Sequence, residues 1–254
     1  MRLKDKVIVI TGATKGIGRG VAQVLAREGA SLVVSGRNTG EGESLVREIK
    51  EAGNRVEFIR ADVSQIKDCF YLIDKTIEVF GKIDGLVNNA GIFPYFDFMD
   101  TTEETFDSVM ATNAKGPFFT TQRALKYMME QKSGSIVNIG STHWEVGSKL
   151  ISAYSVSKGA LHTLTRHVAH HFAGFGIRCN WITVGWVFTP GEMSRVEKAG
   201  HDQNWLNERV SAAIPTGKIQ TPEDIAHACV FLLSDESAQV TGTDIKANGG
   251  FHFP

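Results

Sequence analysis

Tyr154 and Lys158 stand four residues apart in the stretch SAYSVSK, residues 152–158, and the apolar spacing that follows predicts a helix there. Positions i and i+4 of a helix share a face, so a phenol and an ammonium reach into one small volume. A phenol can give and take a proton, but its ordinary pKa of about 10 is high for exchange near neutrality, and an adjacent ammonium favours the phenolate by roughly one to three units. The pair therefore predicts a tuned acid and base. A second group with chemical meaning is Thr11-Gly12-Ala13-Thr14-Lys15-Gly16-Ile17-Gly18. Glycines at 12, 16 and 18 let the backbone turn sharply and let a pyrophosphate approach, while a helix beginning near Gly16 offers free N–H groups and the positive end of its dipole. Gly12, Thr14, Lys15, Gly16, Ile17 and Gly18 are the residues expected to hold it.

Both groups need a scaffold. Short β-branched runs alternate with longer amphipathic segments: KVIVIT (6–11), SLVVSG (31–36), RVEFIR (55–60), IDGLVNN (83–89), GSIVNIG (134–140), GIRCNWI (176–182) and GTDIKA (242–247). Runs apolar almost throughout fit strands covered on both faces, and alternation with helices predicts right-handed crossovers. The expected fold class is α/β, a Rossmann-type, doubly wound parallel sheet of about seven strands, in one domain over residues 1–254. Segments 16–29 and 64–80 carry helical spacing, with Gly29 and Gly81 placed as stops. Residues 185–214 are longer than an ordinary connection and mix glycine, proline, charge and tryptophan. They are expected to form a lid over the site.

Composition narrows the partners. The chain of 254 residues carries a net charge of −1 with its charges interspersed, which leaves no footprint for nucleic acid or an anionic membrane. No leader-like apolar segment opens MRLKDKVIVITG, so a cytoplasmic protein acting on a small molecule is expected. Cys69, Cys179 and Cys229 lie scattered among apolar neighbours and read as structural thiols. His162, His167, His170 and His171 lack a nearby acidic or cysteine partner, so a packed or solvated helix is expected there and no metal.

The pattern T-G-x-x-x-G-I-G, with Asn88-Asn89-Ala90-Gly91 after the fourth strand and Tyr154-x-x-x-Lys158 further on, resembles the short-chain dehydrogenase/reductase family. Asp62-Val63 matches its adenine-contacting position, Asn113 its helix asparagine, and Ser141 its catalytic serine. The resemblance covers essentially the whole chain and is weakest over 185–214. It implies alcohol–ketone interconversion by hydride transfer with a nicotinamide cofactor. Tyr154 is then the acid/base, Ser141 holds the substrate oxygen, Lys158 also holds the nicotinamide ribose, and Asn113 binds a water leading protons outward. Asn89, Ala90, Gly91, Gly185 and Val187 complete the implied cofactor site, and a homo-oligomer, tetramer or dimer, is implied as well.

NADP is the favoured cofactor, with NAD possible. The second strand ends on Ser35 and Gly36 with no carboxylate, and Arg37 with Lys15 can clamp a 2′-phosphate through charge-assisted bonds. Val184 stands where the family pattern has proline, which leaves the following loop less constrained. His143, Trp144, Glu145 and Trp186 are the expected substrate residues, and their mixture suits a sugar or cyclic polyol. The alternatives are a 3-oxoacyl thioester (acyl-carrier-protein) reductase and, in another class, a dinucleotide-sensing regulator without turnover.

Overall fold

The computed structural model describes residues 1–251. Seven strands form one sheet: β1 (Val7–Ile10), β2 (Ser31–Gly36), β3 (Val56–Arg60), β4 (Gly85–Asn88), β5 (Gly134–Ile139), β6 (Ile177–Val184) and β7 (Asp244–Ala247). Their spatial order is β3-β2-β1-β4-β5-β6-β7, and every pair is parallel. Each strand matches one of the expected runs. The differences lie at the ends: β6 continues two residues further, to Val184 in register with Ala247, while β4 and β7 each begin two residues later than the runs.

Alternation of side chains divides the strands between two cores. Ile8, Ile10, Val34, Ile182 and Val184 face one layer, formed by α1 (Gly16–Arg27), α2 (Thr39–Glu51) and α10 (Pro222–Leu233). Val9, Val33, Leu86 and Ile136 face the other, formed by α3 (Ile66–Phe80), α5 (Gly116–Gln131) and α7 (Ser152–His171). Between these stand α4 (Glu103–Met110) and the short α6 (His143–Val146). The chain winds outward from β1 in one direction through β2 and β3, then returns to pair β4 on the other side of β1. A crevice opens at such a reversal, beyond the carboxyl ends of the strands. The glycine loop after β1 and the Asn89–Gly91 turn after β4 both border it.

The segment expected as a lid is built from two further helices, α8 (Pro190–Lys198) and α9 (Gln203–Ala213). Thr189 caps α8 by accepting from Glu192 N, with Pro190 in its first turn, and Asp202 caps α9 by accepting from Trp205 N. Val196, Leu206, Val210 and Ile214 form a separate small core beneath them, with Trp186 and Trp205 packed against it. Among the described residues no helix is long and apolar enough to cross a membrane.

Candidate active site

The loop after β1 is tied to the turn after β4 before any ligand is considered. Thr11 Oγ1 accepts from Asn89 N at 3.1 Å and Ala90 N at 3.2 Å. Asn89 Nδ2 donates back to Thr11 O at 3.0 Å and Gly12 O at 2.9 Å. Gly12 has φ of +62°, and a Cβ there would lie 2.7 Å from Ala90 Cα; Gly16 is also left-handed, with φ of +56°. Only glycine takes these conformations without strain. Gly18 works differently. A Cβ on it would lie 2.3 Å from Gly12 O and 2.4 Å from Asn89 Nδ2, so its role is to let α1 close on the loop.

A cavity of 1160 Å³ runs along the carboxyl ends of the strands, lined at one end by Gly12, Thr14, Lys15, Gly16, Ile17, Gly36 and Arg37, with Asp62 and Val63 beyond β3. Asp62 Oδ1 accepts from Ser64 N at 3.0 Å, and Asp62 N donates to Asp68 at 2.9 Å, which fixes this turn. Left-handed Gly12 and Gly16 keep this stretch of loop backbone bare of side chains at the cavity, so the residues fit the pyrophosphate of a dinucleotide. Thr14 Oγ1 donates to Glu41 Oε2 at 3.0 Å, which places a carboxylate behind the glycine loop, while Lys15 and Arg37 face the opening.

The other end of the cavity gathers Ser141, His143, Tyr154 and Lys158. β5 delivers Ser141 just past its end, and α7 carries Tyr154 and Lys158 on one face, as the i, i+4 spacing requires. The Ser141 hydroxyl lies near enough to Tyr154 to favour its phenolate. Lys158 is 4% exposed; its Nζ donates to Ile139 O at 2.7 Å and lies 5.5 Å from the Tyr154 ring centre. The proton affinities differ from the expectation of a lowered phenol. Burial pushes Tyr154 up to about 12, only partly offset by the nearby Ser141 hydroxyl, and pushes Lys158 down to about 8. Desolvation penalises the charged form of each group, and it is the leading cause of both shifts.

Asn113 lies in a π-helical turn, Ala111–Lys115, between α4 and α5. Its Nδ2 donates to Ile92 O at 2.8 Å and Ser157 Oγ at 3.0 Å, and its Oδ1 accepts from Ile92 N at 2.9 Å. The side chain is thus committed to holding the turn after β4 against α7. A π turn at such a position widens the helix ladder beside the site.

Of the four residues expected around the substrate, two line the cavity. His143 Nδ1 lies 3.1 Å from Gly147 O, so Nδ1 carries the proton, and burial lowers the ring's proton affinity, which keeps it neutral. Its ring meets Tyr154 edge-on at 6.2 Å. Trp186 also lines the cavity. Trp144 does not: it stacks on His162 with ring centres 3.9 Å apart and meets Trp181 edge-on at 6.3 Å. Glu145 pairs with Lys246 at 2.9 Å, away from the cavity. The helical turn of α6 sends His143 inward and its next two neighbours elsewhere.

Several cavity residues escaped the sequence reading. Phe93 and Tyr95, from the loop after β4, line it, and Phe93 meets Tyr154 edge-on at 5.7 Å. Glu192 and Arg195 reach it from α8. Gln220 secures the loop after β6: its Oε1 accepts from Gly185 N at 3.0 Å, its N donates to Trp186 O at 3.1 Å, and its O accepts from Phe188 N at 2.7 Å. These bonds place Gly185 and Val187 at the cavity wall without a proline at 184. The run FPYF at 93–96 was the one legible signal, an aromatic cluster one residue after Asn-Ala-Gly.

A parallel sheet in this order with a glycine-rich loop after β1 is the frame of a dinucleotide-binding α/β protein, and the chain belongs to the short-chain dehydrogenase/reductase family of oxidoreductases. A family model described as enoyl-(acyl carrier protein) reductase matches residues 12–252. Similar proteins include an L-rhamnose 1-dehydrogenase (NAD(P)(+)) of Azotobacter vinelandii, 34% identical and matched over 98% of both chains. A 3-oxoacyl-(acyl-carrier-protein) reductase of Thermotoga maritima is 35% identical over 98% of this chain and 99% of its own. Among solved structures, levodione reductase superimposes with a TM-score of 0.92 at 32% identity, covering 98% of each chain.

Proposed function

We propose that this NAD(P)-dependent oxidoreductase interconverts a compact, hydroxylated secondary alcohol, such as a sugar or cyclic polyol, with its ketone, and that NADP is its preferred cofactor. The observation that carries the reading is the lining of the cavity beside Tyr154, to which Phe93, Tyr95, His143 and Trp186 contribute. Aromatic faces suit the C–H faces of a ring, and neutral His143 suits its hydroxyls. In this reading Tyr154 exchanges a proton with the reacting oxygen, Ser141 holds that oxygen by a hydrogen bond, and the Lys158 ammonium steadies negative charge as it develops. Asn113 keeps the turn after β4 and α7 in register around them. A nicotinamide bound along the glycine loop supplies or takes up the hydride. Helices α8 and α9 serve as the lid, and a homo-oligomer belongs to the same reading through the family.

A 3-oxoacyl thioester reductase is the second reading, favoured by the similarity to the Thermotoga maritima enzyme. A sensor without turnover gains no support, because Ser141, Tyr154 and Lys158 stand together at one end of the cavity. The deciding measurement is kcat/KM for a sugar or cyclic polyol against that for an acetoacetyl thioester. A ratio above one is expected, and a ratio well below one transfers the assignment to the thioester. For the cofactor, Arg37→Asp is expected to move preference toward NAD, since a carboxylate repels a 2′-phosphate and accepts from a 2′-hydroxyl. A wild-type enzyme that already prefers NAD would contradict the role of Arg37.

A further inference from the structure

The cavity wall contains a polar assembly whose residues come from three segments. Trp186 Nε1 donates to Glu192 Oε1 at 2.6 Å. Arg195 grips the same carboxylate with two donors, Nε to Oε2 at 3.0 Å and Nη2 to Oε1. The Arg195 guanidinium then lies over the Tyr95 ring, 5.4 Å from its centre, and so joins α8 to the loop after β4. The side chain of Glu192 is only 11% exposed, yet the residue lines the cavity that holds Tyr154.

Helix α8 explains why a carboxylate sits there. Glu192 occupies the first turn, where its own N–H is capped by Thr189 Oγ1 at 3.1 Å and where the helix dipole favours negative charge. Arg195, three residues on, is its neighbour on the helix face. A carboxylate offers about four acceptor positions, and three donors reach this one. One acceptor position remains, and the charge is already compensated by Arg195. A group of this kind accepts from a neutral hydroxyl and gains nothing from a plain hydrocarbon.

We propose that Glu192 is a specificity-determining residue, which accepts a hydrogen bond from a substrate hydroxyl remote from the reacting carbon, and that Arg195 is the positioning residue that aims it. The inference rests on the proposed hydroxylated substrate and names the residue that recognises it. Tyr95 holds Arg195 from the far side of the cavity, so the anchor is set only when α8 lies against the loop after β4. It also supplies the carboxylate that the sequence reading sought in Glu145.

The test compares kcat/KM for cyclohexanediols with that for cyclohexanol, using the full-length protein with NADP. The readout is the ratio of the two, in which a general loss of folding or cofactor binding cancels. Wild type is expected to favour the diols. Glu192→Leu is expected to lower that ratio at least about 10-fold, the scale of one hydrogen bond to a charged group, and Glu192→Gln to lower it less. Arg195→Met is expected to lower the ratio as well, with Arg195→Lys restoring part of it, a rescue that lost packing alone would not give. A wild-type preference for the diol that survives in Glu192→Leu overturns the role of Glu192 and leaves the hydroxylated-substrate reading standing. A wild type with no such preference removes both.

Discussion

Tyr154 and Lys158 are moved in opposite directions by the same burial, to about 12 and about 8. Tyr154 therefore carries its proton across the physiological range, as the proposed acid requires. Replacement by Phe keeps the ring packing against His143 and Phe93 and removes the hydroxyl that would carry the proton. We expect Tyr154→Phe to retain cofactor affinity within a few-fold and to lose at least about 10³-fold in kcat; rates near wild type would remove the mechanism. Lys158 makes a separate prediction through stability. Its folded pKa of about 8 lies below the ordinary lysine value of 10.5, so between these pH values the unfolded chain binds the proton and the folded one does not. Stability from this group consequently rises with pH across that window. Wild type should gain on Lys158→Met by up to about 3 kcal/mol between pH 8 and 10.5, from 1.36 kcal/mol per unit. Parallel pH profiles of denaturant unfolding for the two proteins would contradict the burial argument.

The glycine loop and α1 act as one element. Because a Cβ at Gly18 would meet Gly12 O and Asn89 Nδ2 well inside contact distance, Gly18→Ala must push the helix away from the loop. Overpacking of this kind costs about 1–3 kcal/mol, and the displaced N–H groups no longer converge on a phosphate. The expected result is a fall in unfolding midpoint of several degrees, together with a cofactor Kd raised at least about 10-fold. Calorimetry with NADP reads both, and an unchanged Kd would show that the loop tolerates the shift. In the segment around α8 and α9, proline and capping residues set the helix starts, while its attachment to the sheet depends on Gln220, a residue with no local pattern to mark it.

Across the whole molecule, the two faces of the sheet bury all three thiols: Cys69 on α3, Cys179 on β6 and Cys229 on α10. Burial raises each thiol's pKa, Cys229 to about 12, which removes the reactive thiolate at neutral pH. Native protein is therefore expected to resist an aromatic disulfide reagent at pH 7.5, and all three thiols to react on unfolding in denaturant. Labelling then reports global opening of the sheet, and fast reaction of a single thiol in native protein would reveal a local opening beside it.

The fold was legible because its signals are local and repeated. Each strand declared itself by a β-branched run, and the alternation with helices leaves a parallel sheet as the solution that covers both faces. Gly12 and Gly16 on one loop, and Tyr154 and Lys158 on one helix face, were legible for a related reason: such spacing fixes relative position before any long-range contact forms, whereas Ser141 was placed beside them by the family resemblance. The surroundings of the reacting position were not. Trp144 and Glu145 follow His143 directly in sequence, yet one turn of α6 points only His143 into the cavity, and the others find His162 and Lys246. Glu192, Arg195 and Tyr95 meet across about one hundred residues of chain, because α8 folds back over the loop after β4. Likewise the proton affinity of Tyr154 could not be read from its distance along the helix to Lys158, since burial sets it and burial belongs to the assembled chain. Local spacing placed the chemistry on its elements; tertiary packing decided what surrounds it, because desolvation and contacts between distant segments exist only once the layers close.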